Sequence, residues 1–142
     1  MEIAPYLNFN GQCREAFTFY EKCLRGKILM MQTYADSPMK DHVEGDWQNR
    51  IMHVRMEVGA FALMGSDAPA EMHQKAQGLY VSIGAVSHDE GARIFRELAE
   101  GGVVTMPYDK TFWSPGFGMV TDRFGTPWMV NCEKRQSMGK AA

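Results

Sequence analysis

His53 is the side chain of this sequence best suited by type and context to acid–base chemistry. Residues 51–58 alternate apolar and polar side chains, which predicts a strand with His53, Arg55 and Glu57 on one face. An imidazole changes charge near neutral pH and can give or take a proton there. His53 is therefore the candidate catalytic residue. The alternative is a sheet histidine that only forms a hydrogen bond with a neighbouring carbonyl.

A second set of side chains has the composition of an organic-ligand site, with aromatic walls and a few polar tips. Tyr6 and Tyr80 alternate with apolar residues and should point away from the helices, whereas Trp113 lies on a predicted loop that could close a pocket or join subunits. For Asp67 the alternative is a turn cap, and for Trp128 it is core packing. The residues predicted to line one concave pocket are Tyr6, Asn8, His53, Met64, Asp67, Tyr80, Ser82, Phe112, Trp113 and Trp128.

Composition and cysteine spacing exclude several other kinds of site. The three cysteines are widely spaced without a Cys-x-x-Cys pair, so neither a disulfide framework nor a zinc knuckle is expected. The chain has 15 Lys and Arg residues against 17 Asp and Glu residues, and no run of basic residues stands out. This charge pattern argues against binding to nucleic acid or to a membrane surface. No apolar stretch approaches the roughly 18 residues that span a bilayer. Residues 1–6 lack a basic leader and an apolar signal core, so we expect a cytoplasmic protein.

The elements that must position these residues follow the order strand, helix and three strands. Apolar residues recur at helical spacing up to Leu24, and Gly26 should end that helix. Polar residues at 35–49 predict a long loop. The predicted elements are a strand at 3–9, a helix at 12–24, and strands at 27–34, 51–58 and 60–65.

The same order recurs after a linker at about residues 68–77. Ser87 and Glu90 form an S-x-x-E capping box that should begin the second helix, and Gly101 matches Gly26 at an offset of 75 residues. Tyr6-x-Asn8 is echoed by Tyr80-x-Ser82, so these residues should occupy equivalent positions in the two halves. The predicted strands are 79–83, 103–106, 117–121 and 126–132. An internal duplication accounts for this pattern.

This pattern predicts an α+β fold of two βαβββ modules. Each half has one helix to cover one face of a four-stranded sheet, and the two sheets should curl into an open half-barrel with a pocket on its concave side. We expect one domain over residues 1–142. Its predicted parts are module one at about 1–67, the linker at about 68–77, module two at about 78–132 and a tail at 133–142.

Several short segments together make the chain resemble a known family over about residues 3–132. They are Pro5-Tyr6-Leu7-x-Phe9, Glu15-Ala16-Phe17-x-Phe19-Tyr20, Met52-His53-Val54, Leu63-Met64-Gly65-Ser66-Asp67, Thr111-Phe112-Trp113 and Phe117-Gly118-Met119-Val120-Thr121-Asp122-Arg123-Phe124-Gly125-x-Pro127-Trp128. In these the chain resembles the PhnB-like branch of the vicinal-oxygen-chelate superfamily, which includes glyoxalases, bleomycin-resistance proteins and dioxygenases. The resemblance implies paired βαβββ modules and a homodimer, but one fold hosts many activities.

Metal-dependent members of that superfamily place a His, Gln or Glu ligand on the first and last strands of each module. Here the corresponding segments 3–9, 60–66, 78–84 and 126–132 contain no imidazole or carboxylate. The usual metal site is therefore missing, and we expect no metal and no other cofactor. PhnB-like sequences are sometimes labelled demethylubiquinone methyltransferases, but the glycine-rich loop that commonly binds S-adenosylmethionine after a first parallel strand is not recognisable in this sequence.

Three functions remain open at the level of the sequence. The first is a protein that binds a small organic molecule in its concave pocket without the usual metal, with or without catalysis. The second is a resistance protein that sequesters a ligand and does no chemistry. The third is a metal-dependent lyase or dioxygenase with unusual ligands such as His53 and Glu57. No residue pattern identifies the ligand.

Overall fold

The computed structural model describes residues 1–133. The chain folds into two compact units. Unit 1 comprises Met1–Gln74 and unit 2 begins at Lys75, so the division falls within the segment predicted as a linker. Of the predicted tail, residues 134–142 lie outside the described residues.

Unit 1 is a four-stranded mixed sheet with one helix. Its strands lie in the order β1-β4-β3-β2, with β1 parallel to β4 and the remaining pairs antiparallel. Two short 3₁₀ helices interrupt the long segment between β2 and β3. The elements are β1 Tyr6–Phe9, α1 Cys13–Leu24, β2 Lys27–Thr33, β3 Ile51–Val58 and β4 Phe61–Asp67.

Unit 2 repeats this topology with strands in the order β5-β8-β7-β6, again with one parallel pair, β5 and β8. Its elements are β5 Val81–Ala85, α2 His88–Ala99, β6 Val103–Asp109, β7 Phe117–Thr121 and β8 Pro127–Cys132. The predicted α+β class and the order of elements are confirmed, and neither sheet closes on itself.

The core of unit 1 lies between α1 and one face of its sheet. Val54 and Met56 of β3 are fully buried on this face. Phe17 of α1 packs directly over Gly65 of β4, where an added Cβ would lie 2.7 Å from the Phe17 ring. A large apolar side chain buried in this way contributes roughly 1.5–3 kcal/mol to stability. The buried residues of α1 are Cys13, Ala16, Phe17, Tyr20 and Cys23.

The two helices begin and end differently. Ser87 caps α2 as predicted, since its Oγ accepts a hydrogen bond from the Glu90 backbone N–H at 3.1 Å. The prediction that Gly26 ends α1 is wrong in detail, because Arg25 is the residue with left-handed backbone, at φ 53°. Gly26 instead permits close packing, since an added Cβ would lie 2.9 Å from the Glu57 carbonyl oxygen.

The strand register corrects one predicted correspondence between the halves. Tyr6 pairs with Met64, and Ser82 pairs with Met129 at the matching rung of the second sheet. Ser82 is therefore the counterpart of Tyr6, and Tyr80 lies just before β5. The helices match at an offset of 75 residues and these strands at 76, because three residues connect β1 to α1 but two connect β5 to α2. The predicted match of Tyr6 with Tyr80 used an offset of 74, and this two-residue error preserves the face.

Candidate functional site

The candidate site lies on the face of the first sheet that is opposite α1, which we call the open face of sheet 1. Strand alternation separates the two faces of this sheet. Leu7 and Phe9 are buried beneath α1, whereas Tyr6, the residue before Leu7, lies on the opposite face and is 46% exposed. The register places Tyr6, Met64 and Arg55 side by side on three neighbouring strands. This face includes the polar and thioether side chains of Tyr6, Asn8, His53, Arg55, Glu57, Met64 and Ser66.

Tyr6 of β1 and His53 of β3 form a contact pair on this face. The Tyr6 hydroxyl lies 2.9 Å from Nδ1 of His53, and the two rings stack with centroids 5.6 Å apart and planes 18° from parallel. Nε2 of His53 has no hydrogen-bond partner among residues 1–133. The pair can therefore offer one ring nitrogen to a bound molecule while the other is held by the tyrosine.

Arg55 lies two residues beyond His53 on β3, so strand alternation puts both on the open face. Its two terminal nitrogens each lie 2.8 Å from one Glu2 oxygen, which is the bidentate arrangement of a guanidinium and a carboxylate. Glu57 approaches the same guanidinium at 3.0 Å. The hydrogen bond from Arg55 lowers the pKa of Glu2. Glu2 and then Glu57 raise the pKa of Arg55.

Asn8 and Ser66 extend the polar part of this face beside Tyr6. The two residues are register partners on β1 and β4, and the Ser66 hydroxyl donates to Oδ1 of Asn8 at 3.2 Å. Met64 separates Tyr6 from Arg55, and its sulfur lies 3.8 Å from a guanidinium nitrogen. The open face therefore presents hydrogen-bonding groups around a flexible, polarisable thioether.

Asp67 does not belong to this face, and its prediction as a pocket residue beside Tyr6 is corrected. It pairs with buried Phe9 on the α1 side of the sheet and is 1% exposed. Its Oδ1 accepts hydrogen bonds from the backbone N–H groups of Gly11 and Cys13, and its Oδ2 accepts one from Ile51. Asp67 therefore ties the β1–α1 turn to the start of β3.

Trp128 is likewise a core residue, as the alternative interpretation of the sequence held. It has no exposed surface, and its indole N–H donates to Oδ2 of Asp122 at 2.8 Å. Asp122 also accepts from the backbone N–H groups of Phe124 and Thr126, as expected of an aspartate at a turn. A side chain without exposed surface has nothing to present to a ligand, so Trp128 is removed from the pocket set.

The other residues of the predicted set that belong to unit 2 lie at exposed positions. Tyr80 is about half exposed just before β5, and Ser82 is exposed within β5. In the loop between β6 and β7, Phe112 is 93% exposed and its ring lies 4.8 Å from that of Trp113. Trp113 in turn contacts Phe117 of β7 edge-to-face at 5.5 Å.

A separate cleft of about 320 Å³ lies at the N-terminal end of α1. It shares none of its residues with the open face of sheet 1. Arg50 donates from its guanidinium to the Gly11 carbonyl oxygen, while its buried Nε has no partner among the described residues. The lining residues are Gly11, Arg14, Glu15, Asp46, Asn49, Arg50, Ile51 and Asp67.

Within residues 1–133 no group of three or more His, Cys, Asp and Glu side chains could hold a metal ion. His53 and Glu57 lie four residues apart on one strand, or about 13 Å, which is too far to share one ion. All three cysteines are buried, and burial raises the pKa of the Cys13 thiol. No helix in the described part of the chain is long and apolar enough to cross a membrane.

Sequence comparison agrees with this architecture. A family model described as 3-demethylubiquinone-9 3-methyltransferase matches residues 1–131. The chain belongs to this PhnB-like family. Protein YjdN of Escherichia coli K12 is 32% identical over 144 residues, which cover 96% of this chain and 98% of YjdN. The predicted resemblance to PhnB-like proteins is thereby confirmed.

Two solved structures share the fold of this chain. Protein PA1353 of Pseudomonas aeruginosa is 48% identical to this chain, with a TM-score of 0.85. The aligned region covers 94% of this chain and 98% of the PA1353 chain. A PhnB protein of Bacillus cereus, described as a 3-demethylubiquinone-9 3-methyltransferase, is 19% identical with a TM-score of 0.77. The aligned region covers 94% of this chain and 100% of the Bacillus protein. At that identity the likeness concerns the fold alone.

Sequence reasoning placed Tyr6, His53 and Met64 together but left Arg55 out of the predicted site. The signal was present, because Arg55 follows His53 by two residues in an alternating strand and must share its face. Its partner Glu2 carried no such signal, since residues 1–5 lie outside regular secondary structure.

Proposed function

We propose that this PhnB-like protein binds a small organic molecule against the open face of sheet 1, with the Tyr6–His53 pair as its main polar contact. The observation that carries the proposal is this pair. Two side chains 47 residues apart in sequence are brought to 2.9 Å on the face away from the core. Core histidines are satisfied and enclosed, whereas this one keeps Nε2 without a partner among the described residues.

The pair supports proton transfer without the usual metal. If the Tyr6 hydroxyl donates to Nδ1, then Nε2 of His53 carries the proton and can donate it to a ligand. If Nδ1 donates to Tyr6, then Nε2 is free to accept a proton from the ligand. His53 is accordingly the proposed acid–base residue, and the direction of its hydrogen bond with Tyr6 matches the tautomer that each role requires. Sequestration of the ligand without turnover is the alternative use of the same surface.

The proposal predicts that His53→Gln weakens ligand binding by more than about 1 kcal/mol with little change in melting temperature. Glutamine keeps hydrogen-bonding capacity but cannot stack on Tyr6 or present an imidazole nitrogen. The measurement is methyl NMR on ¹³C-methionine-labelled protein titrated with a panel of soluble metabolites that includes short-chain quinols. Met64 reports on the open face, and fully buried Met56 reports on the α1 side.

His42→Gln is the matched control, because His42 is exposed in a 3₁₀ helix. Binding that is the same in both variants would refute the role of His53. Incubation of a bound compound with and without S-adenosylmethionine then tests the methyltransferase description of the family. Consumption of the compound would indicate catalysis, and unchanged compound would indicate sequestration.

We also propose that the protein is a homodimer, with β6 and its following loop at the interface. Large apolar side chains are exposed there: Val103 at 65% and Phe112 at 93%. Light scattering at micromolar concentration should give twice the chain mass of 16.0 kDa. Val103→Lys should shift the mass towards the monomer, while Val86→Lys, at another exposed position before α2, should not. A wild-type monomer would contradict this proposal.

A further inference from the structure

We propose that the ligand of the open face is a small organic oxyanion, and that Arg55 binds its charged group in the position that the Glu2 carboxylate now occupies. This inference rests on the proposed function, since it assigns a ligand class to the same face. The contact that carries it is the bidentate pair between Arg55 and Glu2, with both oxygens at 2.8 Å. A ligand carboxylate or phosphate would meet the guanidinium with the same geometry.

Glu2 is suited to being displaced. It lies outside regular secondary structure, its side chain is 52% exposed, and that of Arg55 is 28% exposed. Exposed ion pairs of this kind stabilise weakly, because water and salt screen both charges. A ligand that binds Arg55 and also contacts Tyr6 and His53 should therefore gain more binding free energy than is lost with the Arg55–Glu2 ion pair.

The geometry also bounds the size of the ligand. Arg55 and His53 are two residues apart on β3, or about 7 Å, and Tyr6 is two strands from Arg55, or about 9.5 Å. Met64 lies between Tyr6 and Arg55 on β4. A single-ring or short-chain acid spans these distances, with its charge at Arg55 and its opposite end at Nε2 of His53.

Among residues 1–133, Glu57 is the ion-pair partner of Arg55 that remains after Glu2 is displaced. Its carboxylate contacts Nε and one terminal nitrogen of Arg55, at 3.2 and 3.0 Å. It thereby holds the guanidinium in place and leaves the edge used by Glu2 available. Glu57 is on this account a positioning residue that orients Arg55.

The test uses benzoate, phenyl phosphate and benzamide as probes of the full-length chain, read out by the Met64 methyl resonance. Benzoate and phenyl phosphate should both shift Met64 in a saturable way, and the stronger of the two identifies the preferred oxyanion. Glu2→Gln should tighten their binding by about three- to fivefold, because it removes a tethered competitor of surface-pair strength. Arg55→Met should reduce their binding at least tenfold, and benzamide should respond to neither change.

Glu71→Gln is the control for net charge, since this exposed carboxylate makes no contact with Arg55. Thermal melts of each variant confirm that it is folded. Equal binding of benzoate by the wild type, Glu2→Gln and Arg55→Met would overturn the inference, as would the absence of any shift at Met64 with either anion. If benzamide or a neutral metabolite still binds in a His53-dependent way, only the anion assignment fails. If no compound depends on His53, the proposed function fails as well.

Discussion

Asp67→Ala should lower the free energy of unfolding by about 3–5 kcal/mol, with an unfolding midpoint well below that of the wild type. The carboxylate accepts three backbone N–H groups, from Gly11, Cys13 and Ile51, at 2.9–3.0 Å. Removing it leaves buried donors without an acceptor, and each such donor costs roughly 1–3 kcal/mol. It also releases the β1–α1 turn from β3. Urea denaturation followed by circular dichroism gives the measurement.

The stability of Asp67→Asn should fall between those of the wild type and Asp67→Ala. The amide keeps one acceptor oxygen but turns a donor towards a backbone N–H. Ser66→Ala is the matched control, since Ser66 precedes Asp67 on the same strand and lies on the opposite face. It should change stability by less than about 0.5 kcal/mol. A loss below 1 kcal/mol for Asp67→Ala would show that the turn does not depend on this carboxylate.

Trp128→Ala should destabilise the protein by about 3–5 kcal/mol, because it empties the largest fully buried position in the described chain. Trp128→Phe should cost less, about 1–3 kcal/mol, since the ring is largely replaced but the hydrogen bond to Asp122 is lost. Chemical denaturation measures both variants against the wild type.

Trp113→Ala provides the comparison within the same residue type. Trp113 is 48% exposed in the β6–β7 loop, so its removal should cost less than about 1 kcal/mol of stability. If Trp113→Ala and Trp128→Ala were equally destabilising, burial would not explain the role of Trp128. A large loss for Trp113 alone would point to packing that its exposure does not indicate.

Local patterns in the sequence predicted much of the open face. The face on which a strand residue lies depends on alternation alone, which has a period of two and is legible over a few residues. The alternation of residues 51–58 placed His53 away from α1, and that of residues 6–9 did the same for Tyr6. The Ser87 cap was equally legible, because a cap and its helix are neighbours in sequence.

Which of these residues touch one another was decided by the tertiary structure. Asp67 lies on the same alternating strand as Met64 of the open face. Its carboxylate nevertheless accepts hydrogen bonds from backbone N–H groups that are 16 to 56 residues away in sequence. No sequence pattern specifies such partners. The correspondence between Tyr6 and Ser82 depends on the lengths of two turns, and the Arg55–Glu2 pair depends on a segment without periodicity.

The sequence by itself thus determined the order of elements, the faces of the strands and the membership in a family, because each is written in local spacing or in short segments. The tertiary structure decided that Asp67 and Trp128 are core residues and that Tyr6, His53 and Arg55 share one surface. The physical reason is that burial and hydrogen-bond partnership are properties of chain segments brought together by folding, across separations such as the 47 residues between Tyr6 and His53.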